Sequence, residues 1–220
     1  KNMAEDKRQF PTEVIDLPSK GALYSKDSPL ASGTVELKYM TAREEDILTS
    51  QNLIRKGIVI DKLLESLVVD KAVNLDDILI GDKNSIMVAA RVLGYGKDYD
   101  FQVDCPACGE NNNDNIDLTS LKDKEIDHSR FKSGVNEFSF KLPTSKRTIT
   151  FKLLTQKDER EVDNELKALK KISAGSSIDA EVTTRLKKAV LSIDGDLDPI
   201  SVNKFVDTEF LSRDSLAFRE

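Results

Sequence analysis

Residues 86–109 read IMVAARVLGYGKDYDFQVDCPACG, and the periodicity of the chain changes inside this one stretch. Ile86, Val88, Ala89, Ala90, Val92 and Leu93 recur at helical spacing, in a helix expected to start near Asn84. Gly94-Tyr95-Gly96 is a stop signal for that helix. Beyond it Tyr99, Phe101, Val103 and Cys105 alternate with Asp100, Gln102 and Asp104, the period-two pattern of a strand with two unlike faces. The strand runs into a Cys-Pro-Ala-Cys-Gly turn. Helix, stop, strand and turn in succession predict an α+β chain: a mainly helical part, a small antiparallel β unit, then further helices.

Towards the N-terminus, residues 1–17 read as an arm, with an extended segment over 11–17. Residues 18–29 form a loop with Gly21, Ser25, Asp27 and Ser28 as turn formers. Val35, Leu37 and Tyr39 alternate as a strand. Thr41 with Glu44 three positions later has capping-box spacing, and Gly57 is the expected end of the helical stretch that follows. Leu63, Leu64, Leu67 and Val68 predict a helix with one buried face over 61–69, and residues 74–81 a short turn or partial helix.

Towards the C-terminus, residues 109–113 look like a loop, and the strand paired with 99–105 is expected at 116–118. Phe138, Phe140 and Leu142, then Ile149, Phe151 and Leu153, predict a hairpin around Pro143-Thr144-Ser145-Lys146. Thr155 with Asp158 predicts a second helix start, and the polar helix it opens is broken over 174–177. A last amphipathic helix uses Val182, Leu186, Val190 and Leu191, and Ser201 and Ser212 are cap candidates for two short helices. The second of these has hardly begun at Glu220, so the chain is expected to be cut short there. The expected regions are 1–17, 18–96, 97–154 and 155–220, packed together because no flexible linker separates them.

Composition narrows the function classes. Acids and bases are mixed along the 220 residues and sum to −6, with a third of the chain charged. That balance disfavours nucleic acid as a partner. No run approaches the length of a membrane span, and residues 1–10 lack the apolar core of a signal peptide.

The sharpest chemical signal is Cys105-Pro106-Ala107-Cys108-Gly109, two thiols two residues apart on a turn closed by glycine, the spacing of a zinc knuckle. By itself it is half a site. Structural zinc takes four ligands, and the chain adds only His128 and the carboxylates Asp114, Asp117 and Asp127 as candidates. A surface turn without metal is the simpler reading, and a metal shared between two subunits is the other. No cofactor is otherwise expected. Thiol redox chemistry wants a helix after the first cysteine, which the loop-like 109–113 does not offer. Asp194, Asp196 and Asp198 begin like a calcium loop, but Pro199 replaces its glycine and Phe205 its final glutamate. Gly94-Tyr95-Gly96-Lys97 lacks the first glycine of a phosphate loop, and Asp98 stands in place of its Ser or Thr. His128 has no nucleophile or orienting acid beside it in sequence, and no acid–base pair assembles elsewhere, so no enzyme is expected.

The order of short motifs carries a resemblance. Leu17-Pro18-Ser19-Lys20-Gly21 with Tyr24 and Ser28-Pro29-Leu30, Gly33-Thr34-Val35-Glu36-Leu37, Met40-Thr41-Ala42-Arg43-Glu44-Glu45-Asp46, Leu79-Ile80-Gly81-Asp82-Lys83-Asn84 and Arg91-Val92-Leu93-Gly94-Tyr95-Gly96 follow one another. Together with the strand entering the cysteine turn, this series resembles the baseplate hub assembly family of T-even-type phages, over about residues 15–120. The resemblance implies a hub component or an assembly chaperone of a contractile tail that acts by protein–protein binding. Its partners would be hub or tail proteins, with self-association also open, and it would work in the host cytoplasm during assembly and in the virion tail baseplate. The surfaces expected to bind are the loop 18–29 and the polar helix from Gln156. An alternative drawn from the knuckle is a zinc-ribbon-like adaptor for nucleic acid or the transcription machinery.

Overall fold

Thr41 begins the first helix as its spacing predicts, because Glu44 folds back onto it: the Thr41 amide and hydroxyl both donate to Glu44 Oε2, at 2.8 and 2.6 Å. The structure, a computed structural model, describes residues 11–122, 127, 131–172 and 180–220. His128 and the predicted break over 174–177 lie outside them. The fold is α+β, in two units: residues up to Leu75 with Gly81–Ser133, and Asp76–Ile80 with Gly134–Glu220.

In the first unit, β1 (Thr12–Asp16) pairs antiparallel with β2 (Thr34–Lys38), Thr12 opposite Lys38 and Asp16 opposite Thr34. Three helices follow: α1 (Ala42–Thr49), α2 (Gln51–Lys56) and α3 (Val59–Leu67). The single stretch expected from Thr41 to Gly57 is interrupted at Ser50, whose extended backbone ends α1 and starts α2. Gly57 ends α2 in the left-handed region, as a glycine there can at little cost. On α3, Leu63, Leu64 and Leu67 are buried, the face their spacing predicts. Other buried apolar side chains of this unit are Leu17, Leu23, Leu30, Val35, Leu37, Val68, Ile86 and Ala90.

Helix α4 (Ile80–Tyr95) starts four residues earlier than Asn84, so Gly81 and Asp82 fall in its first turn. A carboxylate there suits the positive end of a helix, and this one is engaged elsewhere, as described below. Strands β3 (Asp98–Asp104) and β4 (Asn111–Asp117) form a two-stranded antiparallel hairpin in which Asp98 faces Asp117 and Asp104 faces Asn111. The return strand is longer than the expected 116–118. Asparagine is a poor strand former, but here Asn111 donates to Asp104 at 2.9 Å and Asn115 to Asp100 at 2.6 Å. Cross-strand amide–carboxylate pairs thus replace apolar packing.

The second unit holds a three-stranded antiparallel sheet in the order β5 (Phe138–Lys141), β6 (Thr148–Phe151), β7 (Val190–Ile193). The hairpin β5–β6 stands where alternation predicts it, but β7 does not follow from the sequence reading, which put Val190 and Leu191 on a helix. Helix α6 (Glu181–Ala189) ends before them, and Val190 takes extended backbone to pair with Phe151. Burial of Val190, Ser192 and Ile193 outweighs the helical spacing, and the Ser192 hydroxyl meets that of Thr150 at 2.7 Å. Helix α5 (Gln156–Ile172) begins at the predicted Thr155–Asp158 cap. Helix α7 (Pro199–Thr208) is capped by Asp198 rather than Ser201, and α8 (Ser212–Arg219) follows Leu211 with no side-chain cap. The core joins Leu142, Ile149, Leu186, Val190, Ile193, Val202, Phe205 and Val206, with Phe140, Phe210 and Phe218 packed on it. Asp214 of α8 is buried and accepts the amides of Thr144 and Ser145, at 2.6 and 2.9 Å, tying that helix to the β5–β6 turn.

Candidate functional site

Two buried carboxylates organise the first unit. Asp82 accepts the Ser19 amide at 2.9 Å, the Ser19 hydroxyl at 2.6 Å and the Tyr24 hydroxyl at 2.6 Å. Three donors converge on one carboxylate, which meets the demand of a buried charge and fixes the loop 18–29 on the start of α4. The segment 18–33 needs two glycines in the left-handed region. A Cβ on Gly21 would lie 2.5 Å from the Ala31 carbonyl oxygen, and one on Gly33 2.8 Å from that of Lys20. Leu23 and Tyr24 are buried, so only Lys20 and the tip at Ser25, Lys26 and Asp27 are exposed. The loop is therefore largely a packed element of the fold, not the open surface expected of it.

Glu44 is the second carboxylate. Besides its Thr41 bonds, Oε1 accepts Lys38 Nζ at 2.7 Å and the Ser66 hydroxyl at 2.5 Å. Burial pushes its carboxyl up, but the bonds from Lys38, Ser66 and Thr41 outweigh this and hold it well below the ordinary carboxylate range. Beside it a groove is lined by Thr12, Glu36, Arg43, Glu65, Val69 and Lys71. The Met-Thr-Ala-Arg-Glu-Glu-Asp segment thus joins β2, α1 and α3 through one side chain.

The hairpin β3–β4 carries the cysteines. The Cys105 amide donates to the Glu110 carbonyl and the Gly109 amide to the Cys105 carbonyl, both at 2.8 Å, closing the turn with Gly109 at φ +73°. Cys105 is half-buried, Cys108 is exposed, and both are free. The neighbouring amides of Cys108 and Ala107 and the Cys108 thiol draw the Cys105 thiol below the usual range.

The carboxylates named as possible co-ligands do not join the cysteines. Asp117 faces Asp98 at the base of the hairpin, six rungs from the Asp104–Asn111 rung, or about 20 Å at the rise of a strand. Its oxygens take Lys97 at 2.6 Å and Thr119, which bring its carboxyl down to about 2. Asp114 faces Phe101, three rungs from that same rung. Asp127 is exposed. Among the described residues no group of three or more His, Cys, Asp or Glu side chains is placed to hold a metal.

The other motifs have structural occupations. Arg91 lies over the rings of Tyr95 and Tyr99, at 5.0 and 5.6 Å, and donates to the Gly96 carbonyl, securing the passage from α4 to β3. Asp194 takes Arg147 and the Thr148 amide, both at 2.8 Å, Asp196 takes the Asp198 amide, and Asp198 caps α7. On α5, the expected solvated face is in part a docking face within its own unit: Glu159 receives a two-pronged bond from Arg185 of α6, both prongs 2.7 Å, and Glu161 pairs with Lys188.

Sequence reasoning missed the Ser19–Tyr24–Asp82 lock and the part of Ser66. Their residues stand in the quoted motifs or on α3, but nothing in spacing pairs Ser19 with a residue 63 positions away. Among the described residues no helix is long and apolar enough to cross a membrane. The family model described as T4 bacteriophage base plate protein matches residues 12–182. No curated protein and no solved structure matches the chain.

Proposed function

Because the chain belongs to the family of T4 bacteriophage base plate proteins, we propose that it acts by protein–protein binding in contractile tail morphogenesis, as a hub component of the baseplate or a chaperone of its assembly. The family match carries this reading: it runs without interruption from β1 into α6 and so takes in both carboxylate locks, the hairpin and the polar helix. A binding role also suits the use of the motif residues, whose polar groups are spent on holding loops and helices together. Hub and tail proteins are the partners this implies, and the virion tail the place.

Nucleic acid is not a partner on this reading. The hairpin that a zinc-ribbon-like adaptor would present carries Asp98, Asp100, Asp104, Glu110, Asp114 and Asp117 against Lys97 alone, the wrong sign for a phosphate backbone. Co-expression with candidate tail components and purification through an affinity tag on this chain tests the proposal. Capture of a hub or baseplate protein supports it, with retention in finished particles marking a structural subunit and presence only in intermediates a chaperone. Reproducible failure to capture any tail component contradicts it.

A further inference from the structure

Helix α8 is joined to the second unit by few ties. It follows Leu211 with no side-chain cap, and its 8 residues fall short of the roughly 12 that a helix needs to persist alone in water. It is therefore helical only while docked. Among the described residues Asp214 is the one side chain of α8 that hydrogen-bonds beyond the helix, where it takes the Thr144 and Ser145 amides. The other tie is Phe218. Its ring meets Phe151 edge-on at 4.9 Å, and Phe140 and Phe210 at 5.9 and 6.3 Å between centres. Phe218 is only half-buried, and Arg213, Leu216 and Arg219 are exposed. None of the buried apolar side chains that form the unit's core comes from α8.

The chain just before α8 is fixed independently of it. The Glu209 and Phe210 amides both donate to the Phe205 carbonyl, at 2.9 and 2.8 Å, and the Phe210 ring stacks on Phe205 at 5.1 Å. Leu211, which comes next, is exposed and has extended backbone. A change at its two dihedrals alone swings α8 away from a stationary α7. We infer that α8 is a strap that opens as one piece about Leu211 while the sheet and α7 stay folded. Closed, it covers Phe140 and Phe151, which lie on one face of the β5–β6 hairpin. Open, it bares those rings beside Phe210 and frees the two turn amides. The surface it uncovers takes an aromatic ring and a carboxylate four residues apart on a helix, the pair that α8 itself presents. Elements that move to uncover a surface come from the least stable parts of a fold, and a short uncapped helix on two anchors is such a part. The inference goes beyond the baseplate reading and does not depend on it.

Hydrogen exchange of the full chain, followed amide by amide in rising denaturant and corrected for intrinsic rates, is the test. The amides from Ser215 to Phe218 and those of Thr144 and Ser145 should share one opening, populated roughly tenfold or more above that of the central strand β6. That opening should respond weakly to denaturant, because it exposes little surface. Phe218→Ala should speed the Thr144 and Ser145 amides by the same factor as those of α8, since all of them wait on the same event. Leu186→Ala, in the core on α6, should speed exchange in β6 and leave α8 and the turn as they were. If that variant does not fold, the denaturant dependence of the wild-type chain decides the matter. Exchange of α8 and β6 at one rate with one denaturant dependence would overturn the inference, as would a Phe218→Ala chain whose turn amides stay slow.

Discussion

At the scale of single residues, the chain depends on a few side chains whose partners are distant in sequence. Asp82 is the clearest. Its replacement by Ala leaves two hydroxyls and an amide without their acceptor, at an expected cost of about 3 kcal/mol, while Tyr24→Phe alone should cost about 1 kcal/mol. In the Asp82→Ala background Tyr24→Phe should cost much less, and a double-mutant cycle by denaturant unfolding measures this coupling. Gly21→Ala combines a left-handed backbone with a Cβ 2.5 Å from a carbonyl oxygen, so its unfolding free energy should fall by more than about 2 kcal/mol. Glu44 adds a pH dependence of known sign. Its folded carboxyl titrates below the ordinary value of 4.5, so its stabilisation is complete above that value and is lost as pH falls through and below it. Glu44→Gln should be less stable at neutral pH and should lose part of the acid slope that wild type shows below about 4.5. A wild-type slope retained in full by Glu44→Gln would contradict this.

At the scale of elements, local signals and tertiary ones part company. Helix starts with a cap in sequence, at Thr41 and Thr155, were legible because the cap's partner is three residues away. The strand β3 was legible because Tyr99, Phe101 and Val103 alternate with polar residues. Strand β7 was not, since Val190 and Leu191 fit a helical stripe equally well, and only pairing with β6 decides between them. Strand β4 was hidden for the opposite reason: its asparagines have weak strand preference and are held by carboxylates of β3. The cysteine turn was fully legible, whereas the Asp82 lock was not, because a hydrogen bond between separated loops leaves no period behind. The pairing of α5 with α6 also rests on charge. Arg185→Lys removes the two-pronged bond to Glu159 and should cost about 1 kcal/mol, an effect that shrinks when salt is raised. Thermal melts of both proteins at low and high ionic strength check this, and a salt-independent difference would argue that Arg185 acts through packing.

At the scale of the whole molecule, the sequence resemblance and the family match agree on a T4-type baseplate protein. The structure adds what the motifs are for: most of them secure loops to helices, while residues 102–115 of the acidic hairpin are exposed apart from Cys105. That division suits a protein whose work is to be held and to hold others. The most direct test of this account is to deplete the protein in infected cells and examine tail intermediates by electron microscopy, with the wild-type chain and Asp82→Ala supplied in trans. The account predicts that baseplates fail to complete without the protein, that the wild-type chain restores them, and that Asp82→Ala restores them poorly. Normal contractile tails assembled in its absence would contradict it.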